Sequence, residues 1–167
     1  MVLELKVPHG ASLEDLAPLW PVFLSYVLSF IYIGIYWHNH HHMLHSVKHV
    51  NGAVLWANSH LLFWLSLTPF TTAWMGENHF AQVPVAVYGI GLLLNAIAYT
   101  ILVRLLIRSH GRDSEFAARI GSDTKGVLSI ALYIAAVGLA FVSTTVSLVL
   151  FFTVAAIWFI PDRRFER

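Results

Sequence analysis

Residues 83–107, VPVAVYGIGLLLNAIAYTILVRLLI, decide the fold class of this chain. The stretch holds 25 residues, and its single charge is Arg104, which lies near one end. A long arginine side chain at that position extends toward the lipid headgroups. A helix needs about 20 consecutive apolar residues to cross the hydrocarbon core of a bilayer. The stretch therefore predicts a transmembrane helix.

Four further apolar stretches carry no charge: residues 19–37, 53–75, 127–142 and 144–160. The chain is 57% hydrophobic and 11% charged, whereas soluble domains average roughly 45–50% and 25%. The last two stretches together are too long for one crossing, and the polar step at Ser143 offers a place to turn. We predict an all-α fold, a polytopic membrane helix bundle. Its five complete transmembrane helices form one domain over residues 1–167 in the lipid bilayer.

The positions of lysine and arginine predict the orientation of these helices. If five spans alternate, Lys6 lies alone on one side, and eight basic residues share the other side: Lys48, Arg108, Arg112, Arg119, Lys125, Arg163, Arg164 and Arg167. Short cytoplasmic loops carry the excess of basic residues in membrane proteins. The pattern therefore predicts a multi-pass protein of the cell membrane with a cytoplasmic C-terminus.

The first residues bear on this topology. The sequence of residues 1–5 is typical of an apolar turn that reaches a charge at the outer surface, and Lys6 and the stop signals Pro8 and Gly10 follow. We interpret residues 1–7 as the end of a truncated sixth, N-terminal helix whose upstream part began in the cytoplasm. A frayed extracellular tail is the alternative interpretation.

Composition excludes several classes of function. Cysteine is absent, which removes disulfides, thiolate metal sites and cysteine nucleophiles. The net charge of +1 provides no field for nucleic acid, and no nucleic-acid motif is visible. The sequence also contains no Walker motif, nucleophile elbow, zincin helix or Gly-rich dinucleotide loop. We therefore expect no enzyme activity, no cofactor and no nucleic-acid partner.

Histidine is the most concentrated polar residue type, with six histidines between residues 38 and 49: His38, His40, His41, His42, His45 and His49. Four of them would share one helical stripe and could bind zinc, iron or copper: His38, His42, His45 and His49. However, no acidic residue lies between Trp37 and Gly52. Membrane di-iron hydroxylases also need several such clusters. We favour rings that lie in headgroup water without a metal, and a metal site is the alternative.

Polar residues inside the apolar stretches need partners, because hydrocarbon supplies none. Asn58 and His60 lie on the same side of the membrane as the histidine cluster. We expect them to form a network with His40 or His41. Asn95 lies deeper, and we expect it to make a simple interhelical hydrogen bond.

Two further local features carry predictions. Pro69 should bend its helix, and Ser66 and Thr68 are close enough to satisfy the backbone groups that the bend frees. In the cytoplasmic loop that follows the third stretch, Phe116 and Ile120 are set among charged residues. This pattern predicts a short amphipathic segment lying on the membrane or on the bundle.

Several motifs follow one another in a linked order along the chain: Leu3-Glu4-Leu5-Lys6-Val7-Pro8, Tyr36-Trp37 followed after two positions by His40-His41, Trp56-x-Asn58, Ser66-Leu67-x-Pro69-Phe70 and Ile160-Pro161-Asp162-Arg163-Arg164. In these motifs the chain resembles the bacterial branch of the transmembrane-protein-175 family of potassium channels. The likeness covers nearly the whole chain.

The resemblance implies six helices per subunit, both termini in the cytoplasm, and a homotetramer around a central pore lined by the first helix. It implies that Met1, Leu3 and Leu5 are the remnant of that lining. A hydrophobic constriction would replace the carbonyl filter of ordinary potassium channels. The resemblance further implies a structural network that supports the pore helix: Trp37, His40, His41, Trp56 and Asn58.

We therefore predict a potassium (monovalent cation) channel subunit that conducts passively through a central pore with a hydrophobic constriction. Its partners would be potassium ions, the lipid bilayer and further copies of the chain. Two alternatives remain open. One is a histidine-cluster metal-binding membrane protein, either a di-iron-like enzyme or a metal carrier. The other is a structural membrane subunit that conducts nothing.

Overall fold

The computed structural model describes residue 8 and residues 12–111, 113–120 and 123–159. Every regular element within these ranges is a helix, which confirms the all-α fold class. The elements are a 3-10 helix at Leu13–Leu19 and six α-helices: α1 Trp20–His45, α2 Gly52–Glu77, α3 Gln82–His110, α4 Glu115–Ile120, α5 Thr124–Leu139 and α6 Thr144–Phe159. The five long helices overlap the five apolar stretches of the sequence.

Some helix ends differ from the bounds drawn on hydrophobicity alone. α1 runs about two turns past residue 37, because the histidines that follow continue the helix although they are not apolar. α5 begins at Thr124 and ends at Leu139, and it turns into α6 at Ser143, whose hydroxyl accepts from the amide of Val146. The turn that we predicted at Ser143, between the last two apolar stretches, is therefore present.

Length and composition distinguish the helices. In the described part of the chain, Val22–His45 and Gln82–His110 are long and apolar enough to cross a membrane. α5 and α6 are apolar but have 16 residues each. At about 1.5 Å per residue, each is roughly 24 Å long, somewhat less than the hydrocarbon thickness of about 30 Å.

Side-chain caps and one glycine define several helix ends. The Asn51 side chain accepts from the amide of Val54 at 3.0 Å and starts α2. The Asp123 carboxylate accepts from the amide of Gly126 at 3.1 Å and starts α5. Such caps satisfy amides that a helix leaves unpaired. α3 ends before Gly111, whose φ of +93° lies in the region that favours glycine.

α3 is the central helix of the bundle. It packs most extensively on α2 and α5, while α1 packs on α2 and α5 packs on α6. One buried cluster surrounds Tyr88, and a second surrounds Leu102. The second cluster includes Phe116 and Ile120 of α4, which are 5% and 6% exposed. The amphipathic segment expected in the loop after α3 therefore lies on the bundle.

The deep polar residue Asn95 makes the expected interhelical bond. Its Nδ2 donates to Oγ1 of Thr68 on α2 at 3.1 Å, and both side chains are buried. Thr68 thus serves α3, and the expectation that it serves the backbone around Pro69 is wrong. Ser66 does bond its own helix, donating to the carbonyl of Phe63 at 2.7 Å. α2 continues as one helix through Pro69.

Close packing at Gly89 generates a stability prediction. A Cβ at Gly89 would lie 2.6 Å from Cζ of the buried Phe151, whereas a Cβ at Gly91 would meet Thr71 at an ordinary 3.7 Å. Both glycines are in α3, so alanine brings each the same gain in helix propensity. We expect Gly89→Ala to be less stable than Gly91→Ala by about 1–3 kcal/mol, the usual cost of overpacking. Unfolding in mixed micelles measures the difference. Equal stability of the two variants would contradict this view of the α3–α6 contact.

Candidate functional site

The last turns of α1 lie beside the first turns of α2. The two helices are joined by a short connection around His49, so residues equally far from that connection on either side face each other. His40 and Asn58 occupy such positions, and Nε2 of His40 is 2.6 Å from Oδ1 of Asn58. A carboxamide oxygen only accepts, so this contact requires His40 to carry its proton on Nε2. Both side chains are partly buried.

The remaining residues of the expected network lie elsewhere. The ring of His41 stacks on Trp37 of the same helix, with centroids 5.4 Å apart and planes at 17°. Trp37 is 64% exposed and Trp56 is 79% exposed. The structure therefore brings His40 and Asn58 together and places His41, Trp37 and Trp56 at the outer surface of the hairpin.

His60 does not join Asn58, although it lies on the same helix. Its Nε2 accepts from Nε1 of Trp64 at 2.8 Å, and the side chain is exposed. Our expectation that His60 belongs to the network is therefore wrong. The physical reason is the helical step: a shift of two residues rotates a side chain by roughly 200° around the axis.

The pore-lining residues of the prediction cannot be placed in the same way. Met1, Leu3 and Leu5 lie outside the described residues, as does the motif at residues 160–164. Their assignment remains a prediction.

The four-histidine stripe is not assembled in the structure. Within residues 12–111, 113–120 and 123–159, no group of three or more histidines or carboxylates converges as a metal site. α1 ends at His45, so His49 leaves the helical face and stacks on His110 of α3 at 4.3 Å between centroids. His45 lies against His41 at 6.2 Å. His38 and His42 remain close, with their Nε2 atoms 3.1 Å apart.

Sequence reasoning missed a polar contact on the other face of α1. Nδ2 of Asn39 donates to the carbonyl of Ile35 at 2.8 Å and lies 3.4 Å from the carbonyl of Trp158 on α6. Tyr32, two turns earlier, donates its hydroxyl to the carbonyl of Phe151. These contacts join α1 to α6 across the bundle. The signal in the sequence was the spacing of Tyr32, Tyr36 and Asn39, which fall on one helical face.

A small cavity lies between α1, α3, α5 and α6. It has a volume of about 30 Å³ and is lined by residues that include Tyr36, Asn39, Tyr99, Ser129 and Trp158. This volume is enough for a water molecule, which needs roughly 10–15 Å³ and polar partners. The cavity is part of the packing of one subunit and lies apart from the His40–Asn58 contact.

Comparison with known proteins adds independent findings. Residues 1–69 match the model of the family described as endosomal/lysosomal potassium channel TMEM175. The chain is similar to a potassium channel of Chryseobacterium sp. (strain P1-3), 53% identical over 167 residues, covering 100% of this chain and 87% of the relative. It is 31% identical to a potassium channel of Streptomyces collinus, covering 89% of this chain and 77% of that relative.

A solved structure matches the fold. The crystal structure of a lysosomal potassium-selective channel TMEM175 homolog from Chamaesiphon minutus superposes with a TM-score of 0.77 and 28% sequence identity. The match covers 96% of this chain and 87% of that chain. The helix order and packing described above are therefore shared with a channel.

The contact between His40 and Asn58 generates a second prediction. In a double-mutant cycle of His40→Ala and Asn58→Ala, we expect a coupling of about 0.6 kcal/mol and at most about 1.7 kcal/mol, the range of hydrogen bonds between membrane helices. The control cycle pairs His41→Ala with Asn58→Ala and should show no coupling. Unfolding in mixed micelles gives all the values. A larger coupling for His41 than for His40 would contradict the assignment.

Proposed function

The chain belongs to the family of the endosomal/lysosomal potassium channel TMEM175, and on that premise we propose that it conducts potassium passively through a central pore with a hydrophobic constriction. It is a potassium channel subunit and an integral membrane protein rather than an enzyme. The observation that carries this conclusion is the 53% identity to a potassium channel over the full length of this chain.

The mechanism that fits this sequence is control of water and ion entry by apolar side chains. The sequence contains no Thr-Val-Gly-Tyr-Gly, the carbonyl filter of ordinary potassium channels. A narrow aliphatic ring excludes water and ions, and a wider one admits a hydrated or partly dehydrated cation. We assign Met1, Leu3 and Leu5 to the end of this lining.

We propose a supporting role for the α1–α2 hairpin. The 2.6 Å bond from His40 to Asn58 holds the end of α1 against the start of α2 at a place where both side chains are partly buried. A pore helix packed against this hairpin would receive a fixed surface with polar groups already paired. Trp37, His41 and Trp56 would contribute aromatic surface to the same end of the bundle.

We propose a homotetramer in the cell membrane with a cytoplasmic C-terminus. The homotetramer is the assembly that the family resemblance implies. The membrane orientation is supported by the basic residues, because the loop at Lys48 meets the end of α3. There the amide of Lys48 donates to Nε2 of His110 at 3.2 Å, and Arg108 lies on the last turn of α3. Two of the loops that carry basic residues therefore lie at one end of the bundle, as the positive-inside rule requires.

The two alternatives of the sequence analysis are less well supported. A di-iron-like enzyme needs several convergent ligands, and the four histidines of the expected stripe do not converge. A structural membrane subunit that conducts nothing makes a clear prediction of its own, and it is an outcome of the experiment below.

The test is ion flux in liposomes. The purified protein is reconstituted into liposomes with a potassium gradient. We expect potassium flux that exceeds sodium flux. We also expect His40→Ala to lower that flux several-fold, because the hairpin loses its fixed contact. We expect His60→Ala, at an exposed position outside that contact, to leave it unchanged.

Empty liposomes are the control for ion leak. A cross-linking experiment counts the subunits of the reconstituted protein. A well-folded tetramer that passes no monovalent cation would refute the channel and favour the structural subunit. A flux with equal rates for potassium and sodium would refute potassium selectivity alone. A stable assembly of another subunit number would refute the homotetramer.

A further inference from the structure

His38 and His42 lie one turn apart on α1, and the imidazoles meet through the same ring atom. Their Nε2 atoms are 3.1 Å apart, with ring centroids at 4.4 Å and ring planes at 72°. Both side chains are partly exposed, so a solute ion can reach them. The two Nε2 atoms thus lie together in one small region next to the helix.

This separation suits a shared metal ion. With metal–nitrogen bonds of about 2.0–2.1 Å, two imidazole nitrogens on one ion lie about 2.9 Å apart at a right angle and about 3.3 Å apart at the tetrahedral angle. The observed 3.1 Å falls between these values. An ion can therefore bind both rings with small rotations of the side chains and no movement of the helix.

A second histidine pair on α1 shows that spacing alone does not create this geometry. His41 and His45 are also four residues apart, yet their rings are nearly parallel, at 16°, with centroids 6.2 Å apart. Parallel rings present faces to each other and do not direct two nitrogen lone pairs at one point.

Three other described histidines, on α1, α2 and α3, use ring nitrogens in hydrogen bonds. His110 bonds the carbonyl of Leu106 through Nδ1 and accepts from the amide of Lys48 through Nε2. His40 bonds Asn58, and His60 accepts from Trp64. His38 and His42 instead pair their Nε2 atoms with each other, and a metal ion could bind to both of these atoms.

We propose that His38 and His42 form a two-histidine binding site at the end of α1. The site binds a divalent metal ion of the class of zinc, nickel and copper. Imidazole nitrogen suits these ions, whereas magnesium, calcium and potassium prefer oxygen ligands. Both side chains are partly exposed, so water can complete the coordination. The existence of the site does not depend on the proposed function.

Binding requires one change within the pair. Without metal, one Nε2 donates its hydrogen to the other across the 3.1 Å contact. When an ion binds, the donor ring carries its hydrogen on Nδ1 instead, and both Nε2 atoms give their lone pairs to the ion. The number of protons on the two neutral rings is unchanged. The ion then joins two successive turns of α1 near its end.

Calorimetric titration of the purified, tag-free protein with zinc chloride tests the site. We expect one ion per chain. Two ligands on one rigid helix reinforce each other, so His38→Gln or His42→Gln should weaken zinc binding about a hundredfold. The matched control pair is His41→Gln and His45→Gln, which should bind zinc as the wild type does. Magnesium chloride should give no binding heat.

A structural readout separates ligation from indirect effects. X-ray absorption at the zinc edge should show two imidazole nitrogens at about 2.0 Å and lighter scatterers from water. Circular dichroism checks that each variant keeps its helices. Equal loss of binding in the His41→Gln and His45→Gln controls would overturn the proposal. So would an absorption spectrum with three or four imidazoles, or the absence of zinc binding at millimolar concentration.

Discussion

Polar groups on the membrane-spanning helices must find partners inside the bundle, because hydrocarbon offers no hydrogen bonds. The structure meets this constraint at several places, whereas in the described part of the chain the hydroxyl of Tyr88 and Oδ1 of Asn95 are buried without a partner. Asn95 bonds Thr68 between α3 and α2, and Asn39 bonds two carbonyls between α1 and α6. The indole of Trp158 donates to the hydroxyl of Ser129 at 2.8 Å, which joins α6 to α5. Each bond selects one rotation of a helix that apolar packing alone would leave adjustable.

The same constraint shapes the α1–α2 hairpin. Near the end of the helices a polar side chain can be satisfied by water, so bonds there are not obligatory. His40 and Asn58 nevertheless bond at 2.6 Å and are partly buried, whereas His41 and Trp56 remain at the surface. Water could have satisfied both groups, so their hydrogen bond is not needed for solvation, and it is the better candidate for a functional role. His40 and Asn58 are therefore the residues to which we assign the supporting role that we propose for the hairpin.

Several properties of the chain followed from the sequence because they depend on composition and order alone. The segregation of charge from five apolar stretches predicts a helical membrane bundle, since each stretch needs only its own residues to be long and apolar. The linked motifs predict the channel family, and the comparisons confirm it. The interhelical bond of Asn95 was also predictable, because a buried amide has few other options. The partner of Asn95 was not predictable, because the position of Thr68 beside Pro69 suggests a hydrogen bond to the backbone of its own helix.

The sequence by itself therefore determined that the protein lies in a lipid bilayer, and it determined the fold class and the family. Only the tertiary structure decided which polar side chains meet. Helical periodicity places His38, His42, His45 and His49 on one stripe, but α1 ends at His45 and releases His49 to pack on α3. Periodicity likewise treats the pair His38–His42 and the pair His41–His45 as equivalent, whereas ring orientation makes one pair convergent and the other stacked. The physical reason is that spacing fixes where a Cβ lies, while the helix ends and the neighbouring side chains set the direction of the ring.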